Sequence, residues 1–204
     1  MTTLFLARHG ETVWHTSGRY AGISDIDLTD LGLAQAEALG TWAGKAELDA
    51  VWSSPLSRAR ATAAPAARAA GVELRTDADL TELDFGTLEG RTLAQVAAED
   101  PDAVTAFEAD PVANPVPGEE DPRAAMRRGT AALWRITHAH PGQRVLVVWH
   151  GTLMRLVLSD LLHMPPGDYR RVFPDMRNGA LTELRMVEPG RVSLLSFNSR
   201  TMPF

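Results

Sequence analysis

Residues 144–162, RVLVVWHGTLMRLVLSDLL, contain the strongest strand pattern in the chain and a direct junction between a strand and a helix. Arg144 to Trp149 form a short apolar run, which is typical of a strand that is buried on both faces. The residues after His150 and Gly151 have apolar side chains at helical spacing, so the strand is predicted to pass straight into a helix. This order of elements is typical of α/β folds.

A second junction of this kind lies near the start of the chain, where residues 6–12 read LARHGET. Leu4 to Ala7 are predicted to form a buried strand, and Arg8 and His9 follow it. In an open α/β sheet the ligand crevice lies beyond the carboxyl ends of the strands. Because His9 and His150 each follow a strand and precede a glycine, we expect the two imidazoles to meet in that crevice.

The rest of the sequence predicts further helices and strands that fit the same α/β fold. Further helices are predicted over about Asp30–Trp42, from Ser54 and Pro55 onward, over Thr92–Glu99 and over Pro122–His138, and further strands over Ala50–Trp52 and Val72–Arg75. Pro65 is expected to kink or shorten the second helix. ALTELRMV and RVSLLSFN alternate around EPGR, which indicates an antiparallel hairpin. We expect a single domain over residues 1–204 with an α/β fold, a three-layer α/β/α sandwich around a mostly parallel, mixed central sheet.

Composition excludes several classes of function. The net charge of -6 argues against nucleic acid or an anionic membrane surface as the main partner. The absence of cysteine excludes disulfides, thiolate catalysis and metals held by cysteine. No segment has the length needed to cross a bilayer, so we expect a cytoplasmic protein. The sequence does not decide between a monomer and a homodimer.

Cationic side chains are predicted to gather at the same edge of the sheet. Arg58 lies in the first turn after the second strand, where it can reach back toward Arg8 and the two histidines. Guanidinium groups and helix N-termini both bind phosphate well. Glu82, in the glycine-flanked loop LTELDFGTLEG, adds a carboxyl group that a general acid requires. These residue types predict a phosphate site. The loop from Asp100 to Asp121 is expected to cover it.

Five motifs, taken together in their order and spacing, resemble the histidine phosphatase superfamily, which includes cofactor-dependent phosphoglycerate mutases and many phosphatases. The motifs are RHGET, GRYAGISDIDLTDLG, SSPLSRARATA, LTELDFGTLEG and VVWHGT. The resemblance covers most of residues 4–160.

The resemblance implies a phosphomonoester hydrolase that acts on a small phosphorylated metabolite through a phosphohistidine on His9. Arg8, Arg58 and His150 would hold the phosphoryl oxygens. Glu82 would protonate the leaving oxygen and then activate water. The resemblance implies no metal and no cofactor.

Other residues near these are expected to bind phosphate or the rest of the substrate: Thr12, His15, Ala21, Gly22, Trp149, Gly151 and Thr152. Three of them depart from the superfamily pattern. Asparagine is common at the position of His15, threonine or glutamine at that of Ala21, and a small residue at that of Trp149. These changes would alter the wall of the pocket.

Three other functions stay open on the sequence alone. A cofactor-dependent phosphoglycerate mutase would share the chemistry, but such mutases tend to be longer, and Ala21 weakens their pocket. A non-catalytic module would keep the fold and bind phosphate or protein without turnover. A metal-dependent hydrolase would use His9, His150 and carboxylates as ligands. The presence of both His9 and Glu82 argues against the non-catalytic module, and the short chain and Ala21 favour hydrolysis over the mutase.

Overall fold

The computed structural model describes residues 1–200. Over this range the strands are β1 (Thr2–Arg8), β2 (Ala50–Ser53), β3 (Leu74–Thr76), β4 (Arg144–Trp149), β5 (Leu181–Glu188) and β6 (Arg191–Ser199). The α-helices are α1 (Asp30–Ala43), α2 (Ser57–Ala70), α3 (Leu93–Ala97), α4 (Pro101–Ala109), α5 (Pro122–Ala139), α6 (Gly151–Leu161) and α7 (Tyr169–Val172). None of the helices within residues 1–200 has the length and apolar character needed to span a bilayer.

The six strands form one mixed sheet in the order β3-β2-β4-β1-β5-β6. The pairs β1–β4, β2–β4 and β2–β3 are parallel, and the hairpin β5–β6 joins β1 in antiparallel orientation. Arg8 lies opposite Trp149 in the β1–β4 register, so His9 and His150 leave the sheet side by side. The predicted mostly parallel, mixed sheet is confirmed.

Helices cover both faces of the sheet, because the side chains of β4 alternate between two buried apolar clusters. Val145, Val147 and Trp149 pack in one cluster with apolar residues of α5 and α6. Leu146 and Val148 pack in the other with residues of α1 and α2. This alternation is the period of two that any strand imposes. The predicted three-layer arrangement is therefore present.

The second helix differs from the prediction at both ends. It begins at Ser57, with Leu56 as its N-cap, whereas Ser54 and Pro55 were expected to open it. The Ser54 hydroxyl instead accepts a hydrogen bond from the Leu56 amide (3.3 Å) within the preceding turn. Pro65 does not shorten α2, which continues to Ala70. Pro65 packs against Gly40 of α1, where a Cβ would lie 2.9 Å from the proline ring, so the glycine makes room for it.

Residues 100–121, expected to be a loop over the pocket, instead contain α4 and pack into the core. Asp100 caps α4 by accepting a hydrogen bond from the Ala103 amide (2.9 Å). Phe107 and Val112 are buried in the same cluster as α5 and α6. The proline and acidic residues of this segment concealed an apolar pattern, and burial of that pattern draws the segment onto the sheet.

The first turn of α1 lies directly against the segment that follows His9. A Cβ on Gly32 would lie 2.1 Å from the carbonyl oxygen of Glu11, and one on Gly10 would lie 2.5 Å from that of Gly32. Only glycine allows this approach, since the obstructing atoms are backbone. The contact fixes the path of the chain next to His9.

Gly32→Ala is expected to lower the free energy of unfolding by about 1–3 kcal/mol because the methyl group must displace backbone. An exposed helical site would instead gain up to about 1 kcal/mol from alanine. Urea unfolding measures the difference. Gly44→Ala is the matched control, because a Cβ there meets its nearest atom only at 3.7 Å. Equal stability changes in the two variants would contradict the close contact.

Candidate active site

The adjacent ends of β1 and β4 bring the two predicted histidines together. The ring centroids of His9 and His150 lie 5.2 Å apart. Both residues are buried, and the backbone N–H of His9 donates to the carbonyl of Trp149 (3.0 Å), which ties one strand end to the other. The Asn178 side chain donates to the carbonyl oxygen of His9 (2.8 Å) and fixes the same segment from the opposite side.

Hydrogen bonds define the tautomer of His9. Its Nδ1 lies 2.7 Å from the carbonyl oxygen of Gly10, which can only accept, so Nδ1 carries the proton. Its Nε2 accepts a hydrogen bond from Nε of Arg58 (3.3 Å). Burial, followed by the nearby His150 and Arg58, lowers the pKa of His9 well below the usual 6.5. His9 is therefore a neutral imidazole that presents an unprotonated Nε2.

Arg58 is held rigidly beside His9 by backbone carbonyls. Its Nη1 donates to Ser24 (2.7 Å) and its Nη2 to Gly22 (2.6 Å). The carboxylate of Glu89 accepts hydrogen bonds from the amides of Gly22 and Ser24, so it holds the same turn from the other side. The guanidinium is fully buried. These contacts orient Arg58 so that Nε points at His9.

Arg8 and His15 form a second fixed pair. Nη1 of Arg8 donates to the carbonyl of Met176 (2.6 Å), and its Nη2 lies 2.6 Å from Nε2 of His15. On the other side of the ring, the backbone N–H of Thr12 donates to Nδ1 of His15 (3.0 Å), and the Thr12 hydroxyl lies 2.8 Å from the same nitrogen. Burial and the charge of Arg8 lower the pKa of His15 to about 4. Burial also lowers the pKa of Arg8, to about 10.

His150 lies at the N-cap of α6, and neither of its ring nitrogens has a hydrogen-bond partner within residues 1–200. Burial, with Arg58 and Arg8 nearby, lowers its pKa well below 6.5. Nε of Arg8 is likewise buried without a partner. Buried polar atoms that lack a hydrogen-bond partner are rare in folded proteins, because leaving them unpaired lowers the stability of the fold. Gly151 permits their proximity, since a Cβ there would lie 3.1 Å from Nε of Arg8.

Glu82 occupies the N-terminus of α6. Its Oε1 accepts hydrogen bonds from the amides of Leu153 (2.8 Å) and Leu83 (3.0 Å), and its Oε2 accepts one from Thr152 (2.9 Å). The sequence suggested that helix N-termini would serve phosphate. At α6 these two amides instead hold the Glu82 carboxylate, which is a favourable place for a negative charge.

The loop that carries Glu82 is fixed by Arg128 of α5. Nη1 of Arg128 donates to the carbonyls of Asp79 (2.8 Å) and Thr81 (2.6 Å), and Nη2 donates to that of Glu82 (3.2 Å). The same guanidinium makes a two-point ion pair with Glu120 (2.8 Å for both contacts). Arg128 thus positions Glu82 through the backbone of its loop. The sequence analysis did not predict this role.

A cavity of about 380 Å³ opens in front of these groups. Seven of the predicted site residues line it: Arg8, His9, His15, Ala21, Glu82, Gly151 and Thr152. Arg58 and His150 do not line the cavity, but both lie directly behind His9. The structure therefore brings the five predicted chemical residues into one group.

Three residues expected at the pocket wall lie elsewhere. Trp149 is fully buried in the apolar cluster beneath α5 and α6, so it cannot contact substrate. Its position in β4 matches that of Val147, two residues earlier, and the strand period turns it into the core. Thr12 is buried against His15. Gly22 is buried against Leu83, whose carbonyl a Cβ would meet at 2.1 Å.

The cavity also has wall residues that sequence reasoning did not identify. They are Gly18, Arg19, Tyr20, Phe85, Arg155, Arg170 and Pro174. Helical spacing could have indicated Arg155, because it lies one turn after Gly151 on the same face of α6. Arg170 lies in a short helix with no recognisable pattern. No group of three or more His, Asp or Glu side chains in residues 1–200 is arranged to hold a metal ion.

The lowered pKa of His15 predicts loss of stability in acid. The unfolded chain binds a proton below about pH 6.5, whereas the folded chain resists protonation down to about pH 4, so the free energy of unfolding falls as pH drops through this window. His9 and His150 act in the same direction.

Replacing His15 with asparagine is expected to reduce the loss of stability between about pH 7 and about pH 5 by about 1–2 kcal/mol. Urea unfolding at the two pH values measures it. His163→Asn is the control, because His163 is exposed and has a positive φ of 55° that asparagine tolerates. An unchanged acid dependence in the His15 variant would refute the assignment.

Among curated proteins, the bifunctional protein Rv2228c of Mycobacterium tuberculosis is 36% identical over 183 residues, which are 89% of this chain and 50% of that protein. This chain therefore spans about half the length of that relative. The metal-independent phosphoserine phosphatase of Arabidopsis thaliana is 36% identical over 77% of this chain and 67% of its own length. The probable phosphoglycerate mutase GpmB of Citrobacter koseri is 34% identical over 84% of this chain and 80% of its own.

Solved structures give the same fold. Bacillus stearothermophilus YhfR superposes with a TM-score of 0.90 at 28% identity and covers 98% of both chains. A mycobacterial glucosyl-3-phosphoglycerate phosphatase has a TM-score of 0.87 at 28% identity, with 97% of this chain and 99% of that chain covered. The family model described as "Histidine phosphatase superfamily (branch 1)" matches residues 4–200. The chain belongs to the histidine phosphatase superfamily.

Proposed function

We propose that the protein is a metal-independent phosphomonoester hydrolase that uses His9 as its nucleophile. The observation that carries this proposal is the state of His9, whose proton is held on Nδ1 by the Gly10 carbonyl. A neutral imidazole with an unprotonated Nε2 is the form that attacks phosphorus, and the attack replaces the hydrogen bond that Nε2 accepts from Arg58. The cavity of about 380 Å³ suits a small phosphorylated metabolite.

In the first step, Nε2 of His9 forms a bond to phosphorus as the bond to the ester oxygen breaks. Arg8, which lines the cavity, and Arg58 and His150, which lie against His9, stabilise the phosphoryl oxygens in this step. His150 has two unpartnered ring nitrogens, one of which can donate to phosphate. Glu82 lines the cavity, and in its protonated form it delivers a proton to the leaving oxygen and becomes a carboxylate.

In the second step, the Glu82 carboxylate removes a proton from water, and the hydroxide attacks phosphorus as the bond to Nε2 breaks. The products are inorganic phosphate and neutral His9, and Glu82 regains the proton that it gave up. Backbone amides of Leu153 and Thr152 keep the carboxyl group in place through both steps. The cationic side chains supply the positive charge, so the chemistry needs no metal.

A phosphoglycerate mutase is the second candidate, because GpmB, a probable mutase, is among the curated relatives. A mutase would share the first step and return the phosphoryl group to a second hydroxyl group. Ala21 lines the cavity without a side-chain donor, which favours the hydrolase.

Phosphate release from p-nitrophenyl phosphate in the presence of EDTA is expected for the natural protein. His9→Ala should lower the rate by at least about a thousandfold, because covalent catalysis is lost. His163→Asn, at an exposed position whose positive φ asparagine tolerates, is the control. Release that stops with EDTA would refute metal independence, and release that persists in His9→Ala would refute the nucleophile.

The mutase hypothesis is tested by incubating the same protein with 3-phosphoglycerate and a bisphosphoglycerate primer and measuring both 2-phosphoglycerate and phosphate. Formation of 2-phosphoglycerate faster than phosphate would replace the hydrolase proposal with the second candidate. If neither product forms and phosphate still binds, the protein is a non-catalytic phosphate-binding module.

Glu82→Gln is expected to lower kcat/KM for an alkyl phosphate by about 10²–10⁴, because an alkoxide leaving group needs a proton. The loss for p-nitrophenyl phosphate should be much smaller, since nitrophenolate leaves unprotonated. Steady-state kinetics on the two substrates gives the comparison. Equal losses would show that Glu82 does not act as the acid in the first step.

A further inference from the structure

The cavity wall carries more positive charge than a phosphoryl group requires. Four guanidinium groups line it, those of Arg8, Arg19, Arg155 and Arg170, against one carboxylate, that of Glu82. The whole chain has a net charge of -6, so this concentration of cations is local. Arg58 adds a fifth guanidinium behind His9. A phosphomonoester dianion brings two negative charges, which leaves part of this charge unmatched.

Arg155 is half-buried and has no carboxylate within ion-pair distance in residues 1–200. It donates from Nε to the carbonyl of Phe173 (2.7 Å) and from Nη2 to that of Pro174 (3.1 Å). These contacts fix the plane of the guanidinium. Nη1 donates to no acceptor in the described part of the chain, so three of the five N–H groups remain for a ligand, two on Nη1 and one on Nη2.

Arg170 is held in a similar way by aromatic residues. Its Nε donates to the Tyr169 hydroxyl (3.0 Å) and its Nη2 to the Tyr20 hydroxyl (3.4 Å). Its guanidinium lies 4.6 Å from the centre of the Phe107 ring. The nearby carboxyl group of Glu119 is a weak counter-charge, because burial raises its pKa to about 7. Arg170 is thus rigid, charged and without an ion-pair partner in residues 1–200.

Arg19 completes the group from the loop that carries Tyr20 and Ala21. It is exposed, and its side chain makes no hydrogen bond or ion pair within residues 1–200. The three arginines therefore come from three separate segments and converge on one cavity. Arg128, which fixes the loop of Glu82 and does not line the cavity, is by contrast paired with a carboxylate, that of Glu120.

We propose that Arg19, Arg155 and Arg170 form a subsite for a second anionic group of the substrate, a carboxylate or a second phosphate. This inference rests on the proposed function, since it places the phosphoryl group at Arg8 and His9. Guanidinium groups with free N–H donors match the oxygen pairs of both anions. The subsite selects phosphomonoesters that carry a second negative charge and disfavours their neutral analogues.

Two matched substrate pairs test the subsite. One is 3-phosphoglycerate against glycerol 3-phosphate, which differ by a carboxylate in place of a hydroxymethyl group. The other is fructose 1,6-bisphosphate against fructose 6-phosphate. In at least one pair the more anionic compound should have the higher kcat/KM by about tenfold or more. The pair that shows the preference identifies the second anion.

Arg170→Gln and Arg19→Gln should each lower that preference to about threefold or less. Arg171→Gln is the matched control, since it removes the same charge from the adjacent residue, which is exposed and paired with Asp168. The Arg19 side chain is exposed and makes no hydrogen bond or ion pair within residues 1–200, so its variant should keep the fold. The subsite is wrong if neither pair shows a preference, or if Arg171→Gln lowers it as much as the other two variants.

Calorimetric binding of the same four compounds to the His9→Ala variant separates the two proposals. Preferential binding of the more anionic compounds without any hydrolysis by the natural protein would keep the subsite and overturn the hydrolase. Hydrolysis of all four compounds at similar kcat/KM, with similar affinities, would keep the hydrolase and overturn the subsite.

Discussion

The site depends on one electrostatic constraint, the burial of two imidazoles among guanidinium groups. Burial penalises the charged form of each histidine, and the neighbouring arginines penalise it further, so His9 and His150 stay neutral. The arginines in turn are held by backbone carbonyls: Met176 holds Arg8, and Gly22 and Ser24 hold Arg58. Carbonyl oxygens position a cation without neutralising it, so its charge remains available to an anion.

Glu82, like the arginines, is held by uncharged backbone groups. Glu82 lies in the group of positive charges, yet it makes no ion pair within residues 1–200. It is held instead by amides at the N-terminus of α6 and by the loop that Arg128 fixes. A carboxylate paired directly with Arg8 or Arg58 would cancel the charge that the phosphoryl group needs. Because Glu82 bonds to amides and the arginines bond to carbonyls, one cavity can hold both an acid and a phosphate site.

The sequence predicted the parts of the fold that short-range patterns control. The apolar runs before His9 and His150 and the glycines after them were enough to place both residues at one sheet edge. Trp149 was misplaced because its neighbour His150 faces the site, whereas the strand period turns Trp149 into the core. The helix α4 was missed because proline and acidic residues concealed its apolar positions. Arg170 could not be found, since only tertiary packing brings α7 to the cavity.

The most direct test of this account is the protonation state of His9, measured by ¹⁵N NMR of the imidazole nitrogens in the free protein. Because the pKa of His9 is lowered well below 6.5, the ring should still be neutral at pH 6.5, where a free imidazole is half protonated, with the proton on Nδ1 and a lone pair on Nε2. Assignment is secured by comparison with the His9→Ala variant. An imidazolium at neutral pH, or a neutral ring protonated on Nε2, would contradict it, because neither form leaves Nε2 free to attack phosphorus.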